Sequence, residues 1–327
     1  MIHEVEDRIF SIEVPLPENP LKELNSYFIR GEAGERSLLI DTGFNRPECW
    51  EALESGMRAL DVHPRETDVF LTHLHSDHTG SAPRLQRLGC RVFMGEVDNR
   101  LRKINTWRQQ MERAVTEGFD RRELDRVFIH NPAVIYSPEE FEARDLREGD
   151  VIAYGGRELR CIQTPGHTLG HMCLLDEKGK LMFLGDHILF DITPNIIAWH
   201  EGRNPLKLYI ESLEKVRDLD VEIPLPAHRT TGDWTMRWRA EFLIEHHDKR
   251  LKEVLNILDR EPGLNAYDLA GRMKWSIRTK NWDTFPPGQK WFAVGEALAH
   301  LEFLLAEKMV ERREDPKTRH RSYYLSR

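Results

Sequence analysis

The sequence contains no run of apolar residues long enough to cross a membrane, which takes roughly 18 or more in succession. Its first residues are acidic and lack the basic and apolar segments of a secretory signal. Cysteine is scarce: there are four, without clustered spacing, so no disulfide framework is expected. These absences predict a cytoplasmic protein with free thiols and no membrane contact.

The chain also lacks an excess of positive charge, since its formal net charge is −8. Residues 238–327 carry 17 Lys and Arg against 14 Asp and Glu, which leaves −11 for residues 1–237. That small basic excess is not enough to establish nucleic-acid binding, which depends on many phosphate contacts. The asymmetry is typical of a catalytic domain with an appended module, and the length of 327 residues allows two domains.

Three histidines and an aspartate stand within six residues, directly after a short apolar run. The apolar residues 69–71 predict a buried strand. His73 and His75 are two positions apart, so their imidazoles leave an extended segment on the same side. Asp77 and His78 are adjacent, and a tight turn would direct them at a second point. Neutral imidazoles and a carboxylate suit a divalent cation, so this string predicts a metal site rather than a metal-free histidine-rich loop.

This His-x-His-x-Asp-His string resembles the first signature of the metallo-β-lactamase superfamily of metallohydrolases. Further matches follow in the family's order within residues 5–236, at residues 39–43, 164–168, 185–186 and 226–228. The resemblance implies an α/β fold, the metallo-β-lactamase αββα sandwich. The alternation of predicted strands and helices in residues 8–94 agrees with a sandwich that carries helices on its outer faces.

The resemblance also implies a ligand set for two divalent metal ions. The first ion would take His73, His75 and His167, the second Asp77, His78 and His228, and Asp186 would bridge the two. Asp77 would in addition relay a proton during catalysis. Zinc is the expected metal, although iron and manganese tolerate the same donors.

The implied function is hydrolysis of an ester, thioester or related acyl bond of a small-molecule substrate by a hydroxide held between the two metals. The superfamily's true β-lactamases lack the bridging aspartate, so antibiotic hydrolysis is not expected. One alternative is a metal-dependent endonuclease that cuts single-stranded RNA. A second alternative is a winged-helix regulator with a metal site.

Several residues close to the predicted ligands have two interpretations each. Asp41 is either a turn-forming residue or, as in the resembled family, a support for the metal-binding loop. His171 and His187 are expected beside the ligands rather than among them. Arg229 could hold an anionic group of the substrate or a surface carboxylate. Cys173 belongs to an apolar strand and is expected in the core.

Residues 99–145 form an insertion longer than a simple connection requires. Apolar residues at helical spacing predict an amphipathic helix: Leu101, Ile104, Trp107, Met111 and Val115. A second helix is predicted over residues 121–128. The insertion could be a lid or binding loop, or a surface feature or homodimer contact. Aromatic candidates for substrate contact are Trp107, Phe119, Phe128 and Tyr136, although each alone is more typical of core.

We therefore expect a catalytic domain over residues 1–236 and a second domain over residues 237–327. The second begins with a linker helix over residues 238–258 and continues with helices over 266–274 and 292–309. Two short strands, at residues 309–312 and 323–325, complete it. This layout resembles the small C-terminal winged-helix domain of one subfamily of the fold, which includes a mitochondrial-type endoribonuclease.

The predicted module is a weak candidate for recognising a nucleic-acid groove. Its second helix carries Glu296, Glu302 and Glu307 against Lys308. The hairpin is richer in basic residues, but acidic residues stand between them: Arg312, Arg313, Lys317, Arg319 and Arg321. Since phosphate contacts supply most of the affinity for nucleic acid, we expect a packing, dimerisation or active-site-capping module instead.

Overall fold

The computed structural model describes residues 1–129, 131–276 and 281–326. The chain folds into two compact units. The first unit comprises residues 1–104, 132–194 and 212–240, and the second comprises residues 105–131, 195–211 and 241–327. In the described parts of the chain, no helix is both long and apolar enough to span a bilayer.

The described residues form helices of different lengths. In chain order they are α1 (Pro47–Ala59), α2 (Ser76–Thr79), α3 (Ala82–Leu88), α4 (Glu96–Leu101), α5 (Trp107–Thr116), α6 (Arg121–Ile129), α7 (Pro132–Ile135), α8 (Pro205–Arg217), α9 (Met236–Arg260), α10 (Ala266–Arg272) and α11 (Pro287–Ala306). Proline stands in the first turn of α1, α3 and α11. It is tolerated there because the first backbone N–H groups of a helix have no hydrogen-bond partner within the helix.

The first unit contains a seven-stranded sheet whose strands follow one another in chain order. They are β1 (Ile2–Glu6), β2 (Ile9–Pro15), β3 (Glu23–Ile29), β4 (Ser37–Ile40), β5 (Thr67–Leu71), β6 (Arg91–Gly95) and β7 (Arg144–Leu146). Neighbours from β1 to β4 are antiparallel, and those from β4 to β7 are parallel. Parallel neighbours need crossovers, and α1 and α3 lie on the chain between them.

A second sheet in the same unit has five strands in the order β12-β11-β10-β9-β8. They are β8 (Val151–Tyr154), β9 (Arg157–Gln163), β10 (Met172–Asp176), β11 (Leu181–Gly185) and β12 (Ile223–Pro226). Among the described strands of this second sheet, β11 and β12 form the one parallel pair, so these two strands end at the same edge of the sheet. Asp186 follows β11 and Ala227-His228 follow β12 at that edge.

The side chains of β5 explain why its sequence is apolar throughout. Phe70 joins the core cluster that contains residues of both sheets, including Phe183 of β11. Its neighbours Val69 and Leu71 point the other way, into a cluster with Trp50 and Leu53 of α1. A strand buried on both faces needs a continuous apolar run. The α/β sandwich predicted from the sequence is thus confirmed.

The second unit holds α5, α6, α10, α11 and an antiparallel hairpin, β13 (Val310–Glu314) with β14 (Arg321–Leu325). The helix–helix–hairpin order agrees with the layout predicted for the C-terminal region. Glu117 is fully buried in this unit and accepts hydrogen bonds from Arg321 Nη1 at 3.2 Å and Tyr323 Oη at 3.0 Å. The winged-helix assignment and the domain boundary at residue 236 stay predictions.

The prediction of one inserted helix from Leu101 to Val115 is wrong. α4 ends at Leu101 and α5 begins at Trp107. The Asn105 side-chain oxygen accepts the Trp107 backbone N–H at 3.2 Å, a local bond that competes with a continuous helix. The final helix also begins at Pro287, five residues before the predicted start at Phe292.

The aromatic residues of the insertion contact other aromatic side chains. Phe119 is buried and lies 4.9 Å from Tyr267, centroid to centroid. Trp107 contacts Phe128 at 5.9 Å and Trp291 at 6.2 Å. In the first unit, Tyr136 packs against Phe44 at 5.4 Å. Phe119 therefore belongs to the core, whereas Phe128 is 37% exposed despite its contact with Trp107.

Candidate metal centre

The structure brings all seven predicted donor side chains together in the first unit. His73 and His75 lie between β5 and α2, and the short helix α2 carries Asp77 and His78. The other three stand after strands of the second sheet or between them: His167, Asp186 and His228. Loops at strand ends can hold such polar groups because the sheets beneath them are rigid and apolar.

The first donor group consists of three imidazoles. His75 Nδ1 lies 3.0 Å from His73 Nε2 and 3.0 Å from His167 Nε2. Thr72 Oγ1 donates to Asp41 and so accepts from His73 Nδ1 at 3.1 Å, which leaves the lone pair of His73 on Nε2. Burial, followed by the charges of neighbouring histidines, lowers the pKa of His73 and of His75 well below the usual value. Neutral imidazoles are the form that binds a metal.

The second donor group consists of Asp77, His78 and His228, with Asp186 beside it. Asp186 Oδ1 lies 3.3 Å from His228 Nε2 and 3.6 Å from His78 Nε2, while Asp77 Oδ2 lies 3.6 Å from His228 Nε2. The other oxygen of Asp186, Oδ2, lies 3.5 Å from His167 Nε2 of the first group. One carboxylate therefore presents an oxygen to each group.

Three buried donor atoms indicate that these residues fit a cation. His78 Nε2, His228 Nε2 and Asp186 Oδ1 have no hydrogen-bond partner among the residues that the structure describes. Leaving such atoms unsatisfied costs about 1–3 kcal/mol each, so buried polar atoms of this kind need an explanation. A divalent cation bound by all three would supply the missing interaction.

Negative charge around the second group also favours a cation. Burial lowers the pKa of His78, but the carboxylates of Asp41, Asp77 and Asp186 outweigh it and raise that pKa to about 10. The same carboxylates would attract a divalent cation, which would displace the proton of His78 on binding. The assignment of individual ligands, and of two ions rather than one, stays a prediction.

Asp41 orients His78, as the family resemblance implied, from the loop that directly follows β4. Its carboxylate accepts hydrogen bonds from Thr72 N at 2.9 Å, Thr72 Oγ1 at 2.8 Å and His78 Nδ1 at 2.7 Å. Its φ is +59°, and only 1% of its surface is exposed. Because Nδ1 of His78 donates to Asp41, Nε2 faces the donor group.

We expect Asp41→Asn to lower metal affinity about 10- to 100-fold, because the amide cannot accept all three bonds that fix His78 and its loop. Competition with a chromogenic chelator measures this affinity. Asp61→Asn is the matched control, since Asp61 also has a positive φ of 53° but is exposed. Equal affinity in the Asp41 and Asp61 variants would contradict this role.

His171 supports Asp186 and is not itself available to a metal. Its Nε2 accepts the backbone N–H of Asp186 at 3.1 Å, and its Nδ1 is 2.8 Å from Thr164 Oγ1. Both ring nitrogens are therefore engaged, as expected of a residue beside the ligands. The Arg229 guanidinium is directed to the backbone and donates to Pro20 O at 2.6 Å. Cys173 is buried core, where burial raises its pKa to about 12.

Sequence reasoning missed the groups that hold His228. Its Nδ1 donates to the backbone oxygen of Glu23 at 2.7 Å. Asn25 Nδ2 donates to Arg229 O at 2.9 Å, and Tyr27 Oη donates to Pro226 O at 2.8 Å. Strand β3 thus supports the loop after β12. No local signal marks these residues, because about 200 positions separate the partners along the chain.

Comparisons with known proteins identify the family of this chain. Residues 23–228 match the metallo-beta-lactamase superfamily, and residues 283–323 match a metallo-beta-lactamase-like C-terminal domain. The chain is 25% identical over 292 residues to an atrochrysone carboxyl ACP thioesterase of Cryptosporiopsis sp., covering 85% of this chain and 71% of that protein. It is 27% identical over 263 residues to a beta-lactamase-like protein 2 homolog of Caenorhabditis elegans, covering 79% and 74%.

Solved structures give the same result. A metallo-beta-lactamase family protein of Thermus thermophilus superposes with a TM-score of 0.80 at 27% identity, covering 98% of this chain and all of that one. A beta-lactamase domain protein of Burkholderia ambifaria superposes with a TM-score of 0.85 at 25% identity, covering 99% and 94%. The family match spans more than half of the chain. The chain therefore belongs to the metallo-beta-lactamase superfamily and is a hydrolase of that fold.

Proposed function

We propose that this protein hydrolyses a thioester, or a related ester or acyl bond, of a small molecule at a two-metal site. The observation that carries the proposal is the convergence of seven His and Asp side chains, with Asp186 directing one oxygen toward each donor group. Thioesters come first because a relative that matches 85% of this chain is an ACP thioesterase. A second relative of 28% identity is also an atrochrysone carboxyl ACP thioesterase.

Seven residues would hold the ions: His73, His75, Asp77, His78, His167, Asp186 and His228. The chemistry supplied by bound divalent cations is Lewis acidity, which lowers the pKa of water toward about 7 and stabilises negative charge on a carbonyl oxygen. Zinc is the proposed metal, since the donors are imidazoles and carboxylates.

The chain's own residues would do the remaining work. Asp77 has a side chain that is 13% exposed, so one carboxylate oxygen can take the proton of the attacking water and later return it to the leaving group. Asp41 and His171 hold His78 and the backbone of Asp186, respectively, so that the donor groups need little reorganisation.

Cleavage of RNA is less well supported, because carboxylates already pair with the hairpin arginines. Arg312 lies 3.3 Å from Glu302, and Arg319 lies 2.5 Å from Glu314. Arg321 is 7% exposed and contacts Glu117 and Glu314 at 3.2 Å each. Arginines neutralised in this way release few counterions from a phosphate backbone, so their contribution to RNA affinity is small.

We expect the zinc-loaded protein to hydrolyse an acyl thioester, followed by release of the free thiol in a colorimetric assay. The same preparation is tested on a lactone, an aryl ester, an aryl phosphodiester and a single-stranded RNA. Thioester turnover that disappears on removal of the metal supports the proposal. RNA cleavage without turnover of any acyl substrate would favour the nuclease, and metal binding without any turnover would favour the regulator.

A further inference from the structure

The two loops that supply the first donor group meet at a residue outside the predicted ligand set. Asp98 lies on α4 and is fully buried. Its Oδ2 accepts hydrogen bonds from Leu74 N at 3.0 Å and Thr168 Oγ1 at 2.6 Å. Its Oδ1 accepts the Gly170 N–H at 2.7 Å.

These three donors connect both halves of the histidine triad. Leu74 stands between His73 and His75, and Thr168 follows His167 directly. The donors come from segments that lie almost 100 positions apart, and one carboxylate group accepts from both. This side chain therefore links the two loops, alongside the backbone hydrogen bond from Met172 N to Thr72 O at 2.9 Å.

The loop that carries Thr168 and Gly170 lies very close to Asp98 and the start of α4. A Cβ atom on Gly170 would lie 2.3 Å from Asp98 N and 2.6 Å from Asp98 Oδ1, distances that side chains do not adopt. A Cβ atom on Gly95, at the end of β6, would lie 2.7 Å from Gly170 O. Only glycine at these two positions allows the loop to reach α4.

Asp98 is held by neutral donors alone. Its described hydrogen bonds come from two backbone N–H groups and one hydroxyl, none of which carries a charge. A carboxylate that accepts three hydrogen bonds in a buried position is directional, since each bond constrains the angle as well as the distance of its donor. An amide in its place would present an NH₂ group to at least one of those donors.

We infer that Asp98 is a positioning residue that fixes the spacing of His73 and His75 relative to His167, and so sets the affinity of the first metal position selectively. The second position depends on the loop of His228, which the Glu23 carbonyl holds and which makes none of the three hydrogen bonds of Asp98. This inference rests on the proposed two-metal function.

The test compares Asp98→Asn in two backgrounds, with zinc affinity measured by chelator competition. In His228→Ala, which disables the second group, Asp98→Asn should weaken zinc binding about 10- to 100-fold. In His167→Ala, which disables the first group, it should change zinc affinity less than twofold.

Thr168→Val is a milder variant, and it tests the same link if Asp98→Asn fails to fold. Thr168→Val removes one of the three donors while keeping the side-chain shape, and should weaken zinc binding severalfold in the His228→Ala background only. Equal weakening in both backgrounds, or none in either, would overturn the positioning role of Asp98. Wild-type protein that binds no zinc would instead reject the proposed function and the inference together, so the two failures are distinguishable.

Discussion

Asp186→Ala should abolish hydrolysis while the protein stays folded, with a loss of at least about a thousandfold in kcat/KM. The carboxylate presents one oxygen to each donor group, 3.3 Å from His228 Nε2 and 3.5 Å from His167 Nε2. Without it, neighbouring imidazoles face one another with no negative charge between them. We therefore also expect the zinc content to fall, as measured by elemental analysis of the purified variant.

Asp220→Ala is the matched control for this experiment. Asp220 is exposed and pairs with Lys180 at 3.1 Å, at the end of β11 opposite to Asp186. The control should keep wild-type turnover and zinc content. Normal turnover in Asp186→Ala, with a circular dichroism spectrum equal to that of wild type, would contradict the role given to this carboxylate.

Removal of the metal should lower the thermal stability of the protein as well as its activity. The buried atoms His78 Nε2, His228 Nε2 and Asp186 Oδ1 have no hydrogen-bond partner in the described chain. A cation bound by them would therefore stabilise the folded state and not the unfolded state. At a free zinc concentration about 1,000 times the dissociation constant, the expected gain is about 4 kcal/mol in the free energy of unfolding.

Differential scanning calorimetry with and without a chelator measures this gain as a shift in Tm. The metal-free protein should melt at a lower temperature, and added zinc should restore the original Tm. Asp186→Ala should show a much smaller shift, because one of the shared donors is missing. Identical melting temperatures for the metal-free and zinc-loaded wild type would show that the donor cluster does not bind zinc.

The ligand string was predictable because its chemistry is local. His73 and His75 must leave an extended segment on the same side, and a buried strand before them is apolar on both faces. The matches at residues 164–168, 185–186 and 226–228 added the remaining donors through family resemblance alone. Their convergence could not be derived from spacing, since it depends on which strands are neighbours in the sheets.

The exposure of the hairpin arginines could not be predicted from the hairpin sequence. Arg321 is one of five basic residues in a short segment, a pattern that favours an exposed basic surface. In the folded chain it is buried and pairs with Glu117, which lies 204 positions earlier. Sequence patterns report the charge of a segment, whereas exposure depends on what packs against it.

The sequence by itself determined the fold class, the family and the identity of the donor side chains. These follow from short-range features: apolar periodicity, residue chemistry and motifs of a few residues. Only the tertiary structure decided which groups orient those donors, namely Asp41 for His78, the Glu23 carbonyl for His228 and Asp98 for both loops of the first group. The reason is physical: a hydrogen bond needs two atoms within about 3 Å, and chain folding alone brings distant residues that close.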